Sequence, residues 1–285
     1  MTDRTAGAAS TPVWINGELL PADHATIPFD DHGVTVGDGA FETIRLIDGR
    51  PFALSRHLER LVRSLAALLI PTIDLQRARS GIAAVLDHAP PDGFLRITVT
   101  AGRGPLGSPR GTAEPTVIVA VRDGRVRLDP TDVVVSPYTR NEHGALAGIK
   151  STSYAENVVA LALAQEVGAT EALFANTAGD LCEGTGSNVF VVVDGELRTP
   201  NLGSGCLAGV TRALLLGLLP EAVETAIPIS DLARASEAFL ASTAREVQPI
   251  ASVDGVGLPA CPGPVTRRAR DAWCDAFAGG GDLDP

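Results

Sequence analysis

The chain has 285 residues, 45% of them hydrophobic, with a formal net charge of -11 and a pI near 4.9. That length and apolar content suffice for a sizeable core divided over two domains, and the acidic balance excludes a nucleic-acid or anionic-membrane partner, either of which favours a basic face. Four cysteines without CxxC pairing exclude a metal site and a disulfide framework, while no apolar run reaches the ~18 residues of a membrane helix and MTDRTAGAASTP has no signal-peptide core, so a cytoplasmic protein with a small-molecule partner is expected.

Residues 1–11 are expected to be disordered, and VWINGELLP then reads as two strands around an Asn-Gly turn. The glycine-containing VTVGDGAFETIRLIDGRPF continues as strand material with an Asp-Gly turn. SRHLERLVRSLAALL has helical apolar spacing, with Ser55 as its N-cap. FLRITVTAGRG and TVIVAVRDG return to strand character, so residues 1–125 form a domain of largely antiparallel sheet with one or two helices. Residues 126–136 read as a linker and 137–278 as a second domain. DVVVSPY leads through the approach to Lys150 into SYAENVVALALAQEVGA, an amphipathic helix, and EALFANTAGDLCEGTGSNVFVVVDGELRTP reads as strands joined by polar turns. LAGVTRALLLGLLP reads as a loop opening a helix, EAFLASTAREVQPI as a strand ending in a hydroxyl-rich turn, and 279–285 as a tail.

Lys150 is the only lysine; every other strong cation is arginine. A single amine fits a solvated surface residue as well as a nucleophile, but only a lysine can lose its proton and bond a carbonyl carbon. Its neighbours decide. Glu183 in LCEGTGSNVF stands among small residues before an apolar strand, as either a solvated turn acid or a carboxylate against a flat ligand. In CLAGVTR, Gly209 permits close backbone approach and Thr211 offers a hydroxyl where a helix begins, an arrangement suited to a phosphate. Ser242 and Thr243 add a second hydroxyl pair, of a kind that also caps turns. One ligand answers all of these with an aldehyde, a basic ring nitrogen and a phosphate: pyridoxal 5'-phosphate.

With these motifs in this order, from WINGELLP to GPVTRR, the chain resembles the fold-type IV (class IV) pyridoxal-phosphate enzymes, which include branched-chain aminotransferases, D-amino-acid transaminases and aminodeoxychorismate lyases. The resemblance implies a two-domain α/β (α+β) fold, with a smaller N-terminal α/β domain and a larger C-terminal domain carrying a barrel-like sheet. It makes Lys150 the Schiff-base lysine and proton carrier, Glu183 the partner of the pyridine nitrogen, and Leu207 the residue packed on the ring. Arg60, at the end of HLERL, together with Val210, Thr211, Ser242 and Thr243, is implied to hold the phosphate, and Tyr154 to meet the phenolic oxygen. It also implies a homodimer, with the loop Arg103–Gly111 as the segment that completes a partner's site.

The reaction is harder to read. Phe41-Glu42 in GDGAFETIRL resembles the aromatic-Glu pair of D-amino-acid transaminases and departs from the FEG of branched-chain enzymes, so transfer from a D-amino acid to pyruvate or 2-oxoglutarate is expected, with side activity on (R)-amines. Relatives of the D type carry a tyrosine at the Phe41 position and an Arg-x-His carboxylate trap; AGRGPLGSPRG has no histidine, leaving Arg96, Arg103 and Arg110 as candidates for the substrate carboxylate. Aminodeoxychorismate lyase activity, resembled by KSTSYAENVVALA, is the alternative, and a branched-chain L-amino-acid aminotransferase the second. The presence of both Lys150 and Glu183 speaks against a non-catalytic scaffold.

Overall fold

The computed structural model describes residues 11–277, so the expectations for the first ten residues and for 279–285 fall outside it. The chain divides into two compact units: one up to Arg125 together with Lys150–Ser153, the other Val126–Ile149 with the chain from Tyr154 onward.

In the first unit β1 (Val13–Ile15) and β2 (Glu18–Leu20) pair across Asn16 and Gly17, both at positive φ, as the Asn-Gly signal requires. The VTV stretch is not strand. It falls largely in a short helix, α1 (His32–Thr35), because Asp31 accepts the Gly33 N–H at 2.8 Å and caps a turn there. β3 (Gly39–Ile47) and β4 (Arg50–Pro51) turn through Asp48-Gly49, again at positive φ. Then come α2 (Leu54–Ala67), α3 (Leu75–Leu86), β5 (Gly93–Thr100) and β6 (Thr116–Asp123). The six strands are ordered β2-β1-β6-β5-β3-β4, all neighbours antiparallel, with α2 against β3 and α3 against β6. Ile44, Leu46, Leu58, Leu61, Leu65 and Ile97 fill the space between. Ser55 does not cap α2. The chain enters through Ala53 in the left-handed region (φ 55), which puts Ser55 inside the first turn, where it accepts from Arg79 Nη2 at 3.3 Å.

The second unit begins with β7 (Thr131–Arg140), so the stretch read as a linker, 126–136, takes in the first half of a strand. Val133 is fully buried and registers with Val253 and Glu171 on either side, which draws this segment into the sheet. The order continues α4 (Ala155–Glu166), β8 (Glu171–Asn176), β9 (Leu181–Gly184), β10 (Asn188–Val193), β11 (Glu196–Pro200), α5 (Val210–Leu218), β12 (Val223–Thr225), β13 (Glu237–Ser242), β14 (Glu246–Val253), β15 (Val256–Gly257) and α6 (Pro264–Phe277). Nine strands form one mixed sheet, β12-β11-β10-β13-β14-β7-β8-β9, with β15 on β14. β9, the end of that path, packs back against β10 and β11, giving the expected barrel-like closure. β10 is buried along its whole length, which is why NVFVVV is a continuous apolar run rather than an alternating one.

α4 departs from the expected amphipathic pattern. It buries Asn157, Ala160 and Ala164, and leaves Val158 and Val159 61% and 47% exposed among Glu156, Gln165 and Glu166, so its outer face mixes valine with polar residues. Among the described residues no helix is long and apolar enough to cross a membrane, and no cluster of His, Cys, Asp and Glu could hold a metal ion.

Candidate active site

The sequence-predicted residues fall into two sets, one in each unit. In the first unit Lys150–Ser153 lies along the start of β3. Phe41 N–H donates to the Lys150 carbonyl at 3.0 Å and Thr152 N–H to the Gly39 carbonyl at 2.8 Å, flanking a bridge between Ala40 and Ser151. Thr152 and Ser153 hydroxyls both donate to the Gly37 carbonyl, at 2.8 and 2.9 Å. GDG makes this approach possible: Gly37 sits at φ +69, and a Cβ on Gly39 would stand 2.5 Å from the Val99 carbonyl oxygen. The lysine is therefore pinned through its backbone, and its Nζ lies 4.3 Å from the centroid of the Phe41 ring.

Phe41 and Glu42 are consecutive on β3, so their side chains leave opposite faces of the sheet. On the Phe41 face, Arg96 from β5 stacks its guanidinium 3.5 Å from the ring centroid and donates to Thr98 Oγ1 at 3.2 Å. On the other face Glu42 is fully buried. Arg60 forks onto it, Nε to Oε1 at 2.8 Å and Nη2 to Oε2 at 2.7 Å, and His57, one helical turn earlier on α2, reaches Oε2 through Nδ1 at 2.7 Å. Burial pushes the Glu42 carboxyl up, but the hydrogen bonds and charge of Arg60, with the hydrogen bond from His57, outweigh it and hold the pKa at about 2. Burial lowers the His57 pKa more strongly than Glu42 raises it, so the imidazole is neutral and donates Nδ1–H to the carboxylate.

Within the Phe41-Glu42 pair, Glu42 serves as the counter-ion of Arg60. Two of the carboxylate-clamp candidates already have acidic partners. Arg103 pairs with Asp30 at 2.9 Å, and Arg110 forks onto Asp38 at 2.6 Å while also donating to the Leu68 and Leu69 carbonyls at the end of α2. Their charges are matched within the first unit. Of the three arginines only Arg96 stands beside Phe41, the ring that Lys150 also meets.

In the second unit Glu183 on β9 accepts the Leu207 N–H on Oε2 at 2.9 Å, and Asn188 at the start of β10 donates through Nδ2 to the Leu207 carbonyl at 2.9 Å. The loop LAG is thus held on both sides, with Leu207 beside the carboxylate. Gly209 is the N-cap of α5 and lends no side-chain cap. A Cβ there would fall 2.0 Å from Asn188 Oδ1, so the position requires glycine. Val210 and Thr211 form the buried first turn of α5, whose amides have no partner within a helix. Asn188 registers with Ala241, which brings Ser242 and the turn beginning at Thr243 alongside the same strand end. Tyr154 donates its hydroxyl proton to the Thr185 carbonyl at 2.8 Å, in the turn that follows Glu183.

Sequence reasoning missed Arg140, at the end of β7. Its Nη2 lies 3.9 Å from Glu183 Oε1, its Nη1 donates to Glu156 at 2.6 Å, and the guanidinium covers the Phe174 ring at 4.4 Å. One arginine in a chain rich in arginine carries no local signal. Cys182 and Cys206, neighbours in sequence of Glu183 and Leu207, are buried free thiols.

Each unit holds donor types that suit pyridoxal phosphate: an amine in the first, and in the second a carboxylate oriented by a backbone N–H, a helix N-terminus without a side-chain cap, and a hydroxyl turn. Comparisons with known proteins agree. The profile of the amino-transferase class IV family matches residues 39–253. Over 266 residues the chain is 34% identical to the putative branched-chain-amino-acid aminotransferase of Methanocaldococcus jannaschii, covering 85% of this chain and 88% of that protein. It is 30% identical over 278 residues to the D-alanine aminotransferase of Bacillus licheniformis, covering 91% and 95%. Among solved structures, a hypothetical aminotransferase from Mycobacterium tuberculosis in its PLP-bound form superposes with a TM-score of 0.83 at 26% identity, over 94% of this chain and 99% of that one.

Proposed function

Because this chain belongs to the class IV aminotransferases, which have the fold-type IV architecture and depend on pyridoxal phosphate, we propose that it moves an amino group from a D-amino acid to pyruvate or 2-oxoglutarate. The observation that carries the reading is the convergence of Lys150 and Arg96 on the Phe41 ring, at 4.3 and 3.5 Å, which sets a carboxylate-binding cation beside the one amine of the chain. The D configuration rests on the Phe41 position and on the likeness to the D-alanine aminotransferase. The 34% identity to a putative branched-chain enzyme favours a second reading, an L-leucine-type donor on the same machinery.

Bound here, the cofactor supplies an aldehyde for the amino group and a ring that accepts electrons from the substrate carbon. In this proposal Lys150 anchors the cofactor and, once released, its amine carries the proton from the substrate carbon. Glu183, oriented by Leu207 N–H, keeps the ring nitrogen protonated, and Leu207 covers the ring. The first turn of α5 at Val210 and Thr211, the hydroxyls of Ser242 and Thr243, and Arg60 hold the phosphate. Glu42 and His57 fix the guanidinium of Arg60 for that task. Tyr154, its hydroxyl oriented by the Thr185 carbonyl, neighbours the phenolic oxygen. Arg96 takes the substrate carboxylate.

The proposal includes a homodimer working in the cytoplasm. The adjacent exposed valines Val158 and Val159 of α4 fit a surface that is covered on association; four free cysteines suit a reducing compartment. Light scattering checks the dimer, and a fully active monomer would refute it. The reaction is tested by offering D-alanine, L-leucine or aminodeoxychorismate and following the cofactor spectrum alongside pyruvate release. A half-reaction with D-alanine is expected. Pyruvate from aminodeoxychorismate without any half-reaction on a D-amino acid would make the chain a lyase, and turnover of L-leucine alone would make it a branched-chain enzyme.

A further inference from the structure

At the start of β8, Glu171 is 1% exposed, a carboxylate enclosed by the second unit. Its Oε1 accepts the Thr185 N–H at 2.8 Å and also the Thr185 hydroxyl; its Oε2 accepts the Ser187 hydroxyl at 3.0 Å and lies 3.1 Å from Arg245 Nη2. Thr185 and Ser187 belong to the turn between Glu183 and Asn188, and the Thr185 carbonyl takes the protons of Tyr154 and of Asn157, the latter at 2.6 Å. Between them Gly184 leaves no room for a side chain, since a Cβ would stand 2.6 Å from Ser187 Oγ and 3.1 Å from Glu171.

Arg245, the partner cation, ends the turn that begins at Thr243. Its own N–H donates to the Ser242 carbonyl at 3.1 Å, and its guanidinium donates to the Thr170 carbonyl at 2.9 Å and to Gln248. The ion pair is thus fixed at both ends by backbone: Glu171 holds the turn that follows Glu183, and Arg245 itself ends the turn that begins at Thr243.

We propose that Glu171 is a positioning residue for the cofactor: Oε1 sets the turn that follows Glu183 on β9, and Oε2 with Arg245 sets the turn that begins at Thr243, next to Ser242. One buried carboxylate then fixes the spacing between the acid for the ring nitrogen and the hydroxyls for the phosphate. The pair costs desolvation on both sides, and removing one partner strands the other charge in the interior. Such a pair is retained where register matters more than net stability. The inference rests on the roles proposed for Glu183 and the hydroxyl turn, and adds a residue that touches neither substrate nor cofactor.

The test uses full-length protein stripped of cofactor and titrated with pyridoxal phosphate, reading the dissociation constant and the pH midpoint of the bound cofactor's absorbance. Glu171→Gln keeps size and an acceptor for Thr185 but loses the charge opposite Arg245; Glu171→Ala loses both. Loss of a charge-assisted hydrogen bond predicts roughly ten- to hundredfold weaker binding, with the midpoint displaced in both variants. Arg245→Met should weaken binding alike, and its combination with Glu171→Gln should be no worse than the weaker single variant. Folded Glu171 variants, melting cooperatively at a lowered temperature yet binding cofactor with wild-type affinity and midpoint, would overturn the proposal and leave the pair a structural role alone. If Glu171→Ala does not fold, Glu171→Gln decides. Glu183→Gln run in parallel separates the two claims. A midpoint that moves with Glu183→Gln but not with Glu171→Gln refutes the positioning role only. A midpoint unmoved by Glu183→Gln refutes the ring-nitrogen role, and the affinities then judge Glu171.

Discussion

Lys150 and Phe41 are joined twice: the Phe41 N–H donates to the Lys150 carbonyl at 3.0 Å, and the Lys150 amine lies 4.3 Å from the centroid of the Phe41 ring. Backbone and side chain of the one lysine are both referred to a single residue of β3. The proposed nucleophile thus has its backbone set by the sheet, a form of the preorganisation that covalent catalysis exploits.

Replacing Lys150 tests this directly. Lys150→Ala should abolish turnover with far-UV circular dichroism unchanged, because the segment is held by backbone bonds and by Thr152 and Ser153. Lys150→Arg should be equally inactive, since a guanidinium does not bond an aldehyde. Borohydride reduction followed by peptide mapping should find the cofactor on Lys150, and a label on any other residue would remove the proposed mechanism.

The buried Glu42–Arg60–His57 group predicts how stability depends on pH. Glu42 has its folded pKa depressed to about 2, so its contribution is complete above its unfolded value near 4.5 and is lost as pH falls from there toward 2. His57 is also depressed, by burial, so acidification below about 6.5 adds to the loss as the unfolded state takes up a proton first. The first unit should therefore lose stability in acid over two overlapping pH ranges. Glu42→Gln should cost about 3–5 kcal/mol at neutral pH by stranding Arg60, and should flatten the denaturant midpoint between pH 4.5 and 2. A wild-type midpoint constant over that range would contradict the assignment.

The thiols give a chemical check on the second unit. Cys182 and Cys206 are buried, and burial raises the pKa of both, whereas Cys261 and Cys274 are exposed. Only thiolate reacts with alkylating reagents. Iodoacetamide on native protein should label Cys261 and Cys274, slowly because burial of part of each side chain raises their pKa as well, and should reach Cys182 and Cys206 only after denaturation. Early labelling of Cys182 in the mass spectrum would mean that the strand bearing Glu183 opens.

Local chemistry was legible in the sequence and distant partnership was not. Asn16-Gly17 and Asp48-Gly49 announce their turns because only a few residue types accept positive φ, and Gly209 announces a close backbone approach. Lys150 was conspicuous through being alone. Glu171 and Arg245, by contrast, meet across the sheet from distant parts of the chain, and nothing near either one says that it is buried. Glu42 was legible as a residue but not in its role, because alternation along β3 turns it away from Phe41 toward α2. The α4 pattern misled because its buried face is built from small residues, Ala160 and Ala164, while valines point outward.

The substrate carboxylate offers the sharpest test of specificity. Arg103 and Arg110 are matched by Asp30 and Asp38, and a carboxylate arriving at either would compete with an acid already in place. Arg96 instead lies over Phe41, with Thr98 and Thr43 hydroxyls accepting from its guanidinium at 3.2 and 3.4 Å. Arg96→Leu should thus raise KM for D-alanine roughly ten- to hundredfold, the loss of a charge-assisted hydrogen bond worth about 1.5–3 kcal/mol, with a smaller effect on kcat. For an (R)-amine without a carboxylate the same substitution should leave KM within about threefold, because that amine has nothing to offer the guanidinium. Arg96→Lys keeps charge but loses the flat stacking on Phe41 and should recover only part of the affinity. Equal losses on both substrate classes would show that Arg96 supports the Phe41 ring and not the carboxylate, and the clamp would have to be sought elsewhere.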